Sequence, residues 1–121
     1  MSEPAIVSAD WTHGRDAIVY QSCGSCRSVW YFRRGFCPSC GAAGPQMHHA
    51  SGRGTVYAAS LVCRAATPEA KTHVPYMIVL VDMAEGFRVM AHGDKDLAIG
   101  DAVVARFETF TDRRVPYFAK V

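Results

Sequence analysis

The C-terminal two-thirds of the chain alternates in short runs. Phe87, Val89 and Ala91 interleave with Arg88, Met90 and His92, and Val103, Ala105 and Phe107 interleave with Val104, Arg106 and Glu108. Successive side chains on a strand point to opposite faces, so each run predicts a strand with one face on a core and one wetter face. Thr55 to Arg64 predicts a long strand before them and Val115 to Lys120 a short one after. Pro75 to Asp82 is apolar on both faces through Met77-Ile78-Val79-Leu80-Val81 and predicts a central strand. Turns at Glu85-Gly86, Ile99-Gly100-Asp101 and Asp112-Arg113-Arg114 separate these runs, and Ala65 to Pro75 is the one long irregular stretch. Five short strands without a long helix fit a small Greek-key barrel of the OB type, because closure hides the edges of so apolar a sheet. A small open sandwich is the other arrangement that fits.

The first fifty residues follow a different logic. Ala17 to Gln21 predicts a short strand, and Asp10 to Asp16 one helical turn. Ser28-Val29-Trp30-Tyr31-Phe32 is β-prone and runs into a turn at Arg33-Arg34-Gly35. Around these lie Cys23-Gly24-Ser25-Cys26 and Cys37-Pro38-Ser39-Cys40-Gly41, ten residues apart. Two C-x-x-C knuckles at this spacing bring four thiolates to one tetrahedral metal, and a closed thiolate shell leaves no position for water or substrate. Zinc bound there is structural, although iron of rubredoxin type uses the same four ligands. Gly41 stands where left-handed backbone lets amides point at sulfur, and Arg27 holds the matching place in the first knuckle. The predicted fold is mainly β, a rubredoxin-like zinc ribbon followed by a five-stranded OB-fold barrel. Its divisions are a short N-terminal segment (1–16), the ribbon (17–51) and the barrel (52–121), with Gly52-Arg53-Gly54 as the hinge.

Composition narrows the partners. Half of the 121 residues are apolar and the net charge is +2, which suits a globular domain and leaves no basic stripe for a phosphate backbone. No basic start followed by an apolar run opens the chain, and no apolar run approaches the roughly 20 residues of a bilayer span. A cytoplasmic setting without a membrane is therefore expected, where reduced thiols favour metal over disulfide. Cys63, the fifth cysteine, is expected to be a small buried hydrophobe. His48 and His49 read as surface or hinge residues. His73, His92 and the rest form no recognisable nucleophile array, and no Gly-rich phosphate cradle is present.

The ordered set Gln21 to Cys26, Arg34 to Gly41, Ser51 to Tyr57, Pro75 to Asp82, Glu85 to Val89 and Ile99 to Val103 resembles the zinc-ribbon/OB-fold acyl-CoA-associated family, long catalogued as a domain of unknown function. The likeness runs over roughly residues 17 to 121. One departure is local: the family places two prolines before the arginine ahead of the second knuckle, where this chain has Phe32 and Arg33. The resemblance implies a non-catalytic accessory subunit in acyl-CoA metabolism, paired with a thiolase-like or lipid-transfer-type enzyme that carries the chemistry. It implies that the subunit binds CoA or acyl-CoA, scaffolds the enzyme, or does both. A CoA site needs basic groups near a flat apolar surface. Arg34 and Arg53, beside the ribbon–barrel junction, and Lys71, in the long loop, are the candidates. The rival reading is a ribbon/OB module for single-stranded nucleic acid, which the near-neutral charge disfavours.

Overall fold

The computed structural model describes residues 9–65 and 67–121. Residues 1–8 of the expected N-terminal segment and Ala66 of the long loop lie outside the described residues. A 3-10 turn at Trp11–His13 opens the described chain. It is capped by Asp10, whose carboxylate accepts from the Thr12 amide at 2.9 Å, and closed by Gly14 in the left-handed region at φ 83°.

The ribbon is a three-stranded sheet. β1 (Val19–Ser22) lies in the middle, with β2 (Val29–Trp30) on one side and β3 (Gln46–His49) on the other. Both pairings are antiparallel. The expected β-prone run from Ser28 to Phe32 thus yields only two strand residues. Tyr31 leaves the ladder and stacks on Phe87 of the barrel with ring centroids 5.7 Å apart, while Phe32 is 76% exposed.

The barrel comprises β4 (Arg53–Val62), β5 (Tyr76–Met83), β6 (Arg88–Gly93), β7 (Ala102–Phe110) and β8 (Arg113–Lys120). It closes in the order β4-β5-β6-β8-β7, with β4 returning to β7 and only the β6–β8 contact parallel. This is the mainly β ribbon-plus-barrel architecture that the alternation and the knuckles predict. The long loop before β5 contains a 3-10 turn, Pro68–Thr72.

The alternation is realised side chain by side chain. Phe87, Val89 and Ala91 are buried, whereas Arg88 and Met90 are exposed. With Val56, Val79, Val81, Val103 and Phe118 they form the barrel core, and Ile18 of the ribbon belongs to the same cluster. Phe118 is fully buried, a gain of roughly 1.5–3 kcal/mol for a side chain of this size. Tyr20 stacks on Phe87 at 4.8 Å, so Phe87 is clasped by two ribbon tyrosines and fixes the ribbon on the barrel. Gly54 marks the closest backbone approach. A Cβ there would stand 2.5 Å from Val81 Cγ1 and 2.7 Å from the Asp82 carbonyl oxygen, so only glycine lets β4 lie this near β5.

Candidate functional site

The two knuckles are near copies of one another. In the first, the amides of Ser25 and Cys26 point at Cys23 Sγ at 3.3 and 3.5 Å. In the second, those of Ser39 and Cys40 point at Cys37 Sγ at 3.3 and 3.4 Å. Each turn closes with a left-handed residue whose amide donates back to the first cysteine's carbonyl at 3.0 Å, Arg27 (φ 63°) in one and Gly41 (φ 79°) in the other. The first knuckle therefore meets the same backbone demand with a residue that carries a Cβ, at some strain.

The four sulfurs converge. Cys23 Sγ lies 3.6 Å from Cys40 Sγ, Cys26 Sγ lies 3.5 Å from Cys37 Sγ, and all four fall within 4.8 Å of one another. Sulfurs about 2.3 Å from a shared tetrahedral zinc stand about 3.8 Å apart, so the donor set and its spacing fit such an ion. The charges agree. Burial pushes the Cys37 thiol up, but the amides of Cys40 and Ser39 outweigh it and bring it down to about 6. Hydrogen bonds from the Cys26 and Ser25 amides lower Cys23. For Cys40 the Ala42 amide favours the thiolate, but the neighbouring sulfurs of Cys23, Cys26 and Cys37 drive it up to about 12. Four thiolates this close repel one another, and a divalent cation at their centre removes that repulsion. When bound, the metal pins the two knuckles together.

Gln21 organises the ribbon beside this centre. It is 5% exposed, and its Oε1 accepts from Trp30 Nε1 at 2.6 Å and from the Arg34 amide at 2.8 Å. Its Nε2 donates to the Arg34 carbonyl at 3.1 Å. One buried amide thus holds the Arg33-Arg34 turn against β1. A polar residue at the end of a short predicted strand gives no sign of this in the sequence.

The expected basic residues are placed separately. Arg34 is exposed on the turn that Gln21 holds. Arg53 is exposed at the start of β4, where its carbonyl accepts from the Ala84 amide. Lys71 is exposed on the 3-10 turn beyond the far end of β4. The β4–β5 ladder runs from Gly54↔Met83 to Val62↔Tyr76. That distance is about 25 Å at strand rise, so Arg53 and Lys71 mark opposite ends of the barrel rather than one site. None of the three side chains forms an ion pair among the described residues. Cys63 corrects an expectation: it is exposed rather than buried. β4 ends at Val62, so the residue has left the sheet before the alternation can carry it inward.

The structure also unites residues that the chain keeps far apart. His73 and His92 lie 4.3 and 4.4 Å from the ring of Phe110, and Tyr76 lies 5.2 Å from His92 and 5.0 Å from Phe110. They line a cavity of about 190 Å³ together with Lys95, Glu108 and Tyr117. No local motif joins these positions, and only barrel closure does. His48, expected on a surface or hinge, lies within β3 with Nε2 2.7 Å from Ser22 Oγ. Among the described residues no helix is long and apolar enough to cross a membrane.

A four-thiol ribbon leading into a closed five-stranded OB barrel defines the class of protein. The family model described as the C-terminal OB-fold domain of ChsH2 matches residues 47–108, just over half of the chain, and the chain belongs to this family. Two solved structures are similar. One is titled as an Ltp2-ChsH2(DUF35) aldolase and has a TM-score of 0.73 and 25% sequence identity, over 86% of this chain and 84% of that one. The other is a protein of unknown function from the DUF35 family of Sulfolobus solfataricus. It has a TM-score of 0.58 and 12% identity over 87% of this chain and 76% of that one, and it supports the fold.

Proposed function

We propose that this chain is a non-catalytic accessory subunit that completes a thiolase-like enzyme of acyl-CoA metabolism. The observation that carries this is the likeness, over most of both chains, to a structure named as an aldolase of two parts, Ltp2 and ChsH2(DUF35). Chemistry points the same way. A metal held by Cys23, Cys26, Cys37 and Cys40 has no open position, and zinc suits four thiolates in a structural role. No described serine or cysteine is bonded to a histidine in a nucleophile–base–orienter arrangement; the Ser22–His48 pair lacks a third group.

The docking surface is the ribbon turn. Phe32 and Phe36 are 76% and 62% exposed on either side of Arg33-Arg34, an apolar-and-basic patch of the kind that anchors interfaces. Trp30, by contrast, is half-buried and bonded through Nε1 to Gln21, which suits a structural role. Arg34 on the ribbon turn, Arg53 at the start of β4 and Lys71 at the far end of the barrel are the candidate contacts for CoA, each at its own place. The subunit acts in the cytoplasm.

Co-purification with a thiolase-like partner tests the reading. Phe32→Ser combined with Phe36→Ser should lose the partner while keeping one metal per chain, because both rings are exposed and support no core. Undiminished co-purification would move the interface elsewhere. Calorimetric titration with CoA should weaken on Arg53→Ala, and unchanged heat would leave scaffolding alone.

A further inference from the structure

The cavity at the far end of the barrel is not used by the proposed docking role. Its walls come from four stretches of chain: His73 and Tyr76 around the start of β5, His92 near the end of β6, Phe110 at the end of β7, and Tyr117 on β8. In a five-stranded OB barrel the faces of the second and third strands, with the loops between strands one and two and between four and five, form the general ligand surface. The cavity lies at that place. Phe110 is carried there by a two-residue hairpin turn, Thr111-Asp112, with φ of 47° and 67°. A β-branched residue in that conformation is strained.

The polar groups around the rings are nearly all engaged. The Tyr117 hydroxyl donates to Asp94 Oδ1 at 2.9 Å, and its ring lies 4.7 Å from the Arg106 guanidinium. Glu108 accepts from Arg106 Nε at 2.7 Å, so its charge is matched. Lys95, at the rim, has no ion-pair partner among the described residues, and its ammonium is a mobile point charge able to meet an anion. Burial, with the charge of His73 second, holds His92 below the usual histidine value, so near neutral pH it offers an uncharged ring.

We propose that this cavity binds a planar aromatic ring carrying an anionic group. The ring stacks against the cluster that Phe110, Tyr76 and the two imidazoles form by packing on one another, and the anion meets Lys95. About 190 Å³ accommodates one or two fused rings, and rings of this kind gain by stacking on aromatic walls. A carboxylate on an arene and a phosphate on a nucleotide share this chemistry.

The test is a titration of the full zinc-loaded chain with 2-naphthoate, adenosine monophosphate and neutral 2-naphthol, followed through the histidine ring resonances by NMR. At least one anion should shift His73 and His92 saturably and leave His13, His48 and His49 in place. The tighter of the two identifies the source, arene carboxylate or nucleotide. Lys95→Gln, an exposed change that spares the fold, should weaken that anion by roughly tenfold, and 2-naphthol should bind no better than this variant binds the anion. Phe110→Leu should weaken all ring ligands together. Three results each overturn the proposal: no shift of His73 and His92 with either anion at millimolar concentration, 2-naphthol binding as tightly as 2-naphthoate, or unchanged affinity in Lys95→Gln.

Discussion

Gln21→Leu is the perturbation that most directly asks whether the ribbon is organised by one buried amide. Leucine matches the size of glutamine but supplies no acceptor. Two donors then lose their partner, Trp30 Nε1 at 2.6 Å and the Arg34 amide at 2.8 Å, and the Arg34 carbonyl loses the Nε2 donor. An unsatisfied buried donor costs about 1–3 kcal/mol. Trp30 is half-buried and Arg34 exposed, so water reaches part of each group and the low end applies, about 1 kcal/mol apiece. The lost Nε2 bond adds about 0.5–1 kcal/mol, for a total of roughly 2–3 kcal/mol. Urea unfolding with excess zinc, followed by tryptophan fluorescence, should show the midpoint falling by about 1–2 M at unchanged slope. Metal content should stay at one per chain, since no knuckle atom is touched. A variant within about 0.5 kcal/mol of the parent would refute the reasoning, because three named bonds cannot vanish at so small a cost.

Three further outcomes follow from the same geometry. Elemental analysis should find one zinc per chain in the parent and in Cys63→Ser, while Cys37→Ser loses the metal and loosens the ribbon; metal loss in Cys63→Ser would contradict the four-thiol centre. Gly54→Ala should destabilise by roughly 1–3 kcal/mol through overpacking against Val81 and the Asp82 carbonyl, read as a lower urea midpoint, and a neutral effect would mean that β4 moves freely away from β5. Because His92 has a folded pKa below its unfolded value near 6.5, the folded form resists its protonation; stability should therefore be intact above that value and fall as pH drops through it towards the folded pKa. His92→Phe should flatten that acid-side slope.

Much of this was legible because period and spacing are local signals. Phe87, Val89 and Ala91 announce their strand since every second residue must enter the core, and the knuckles announce a thiol centre since only a tight turn brings such pairs together. β3 escaped because Gln46, Met47, His48 and His49 have no β-branched member, and the strand exists through pairing with β1. Cys63 was misplaced because alternation does not say where a strand stops. The aromatic cavity was invisible for a different reason: His73, His92 and Phe110 meet only once the barrel has closed, and nothing local links them. Likewise, the separation of Arg53 from Lys71 is a property of strand length that the identity of two basic residues does not carry.

In the proposed reading the chain completes a partner and has no chemistry of its own. The decisive measurement is turnover of acyl-CoA substrates by the purified chain alone, by the proposed thiolase-like partner alone, and by the two together. The chain should show no turnover, the isolated partner little, and the mixture full activity that requires the metal-loaded ribbon. Turnover by the chain alone, or a partner equally active and stable without it, would rule out the accessory role.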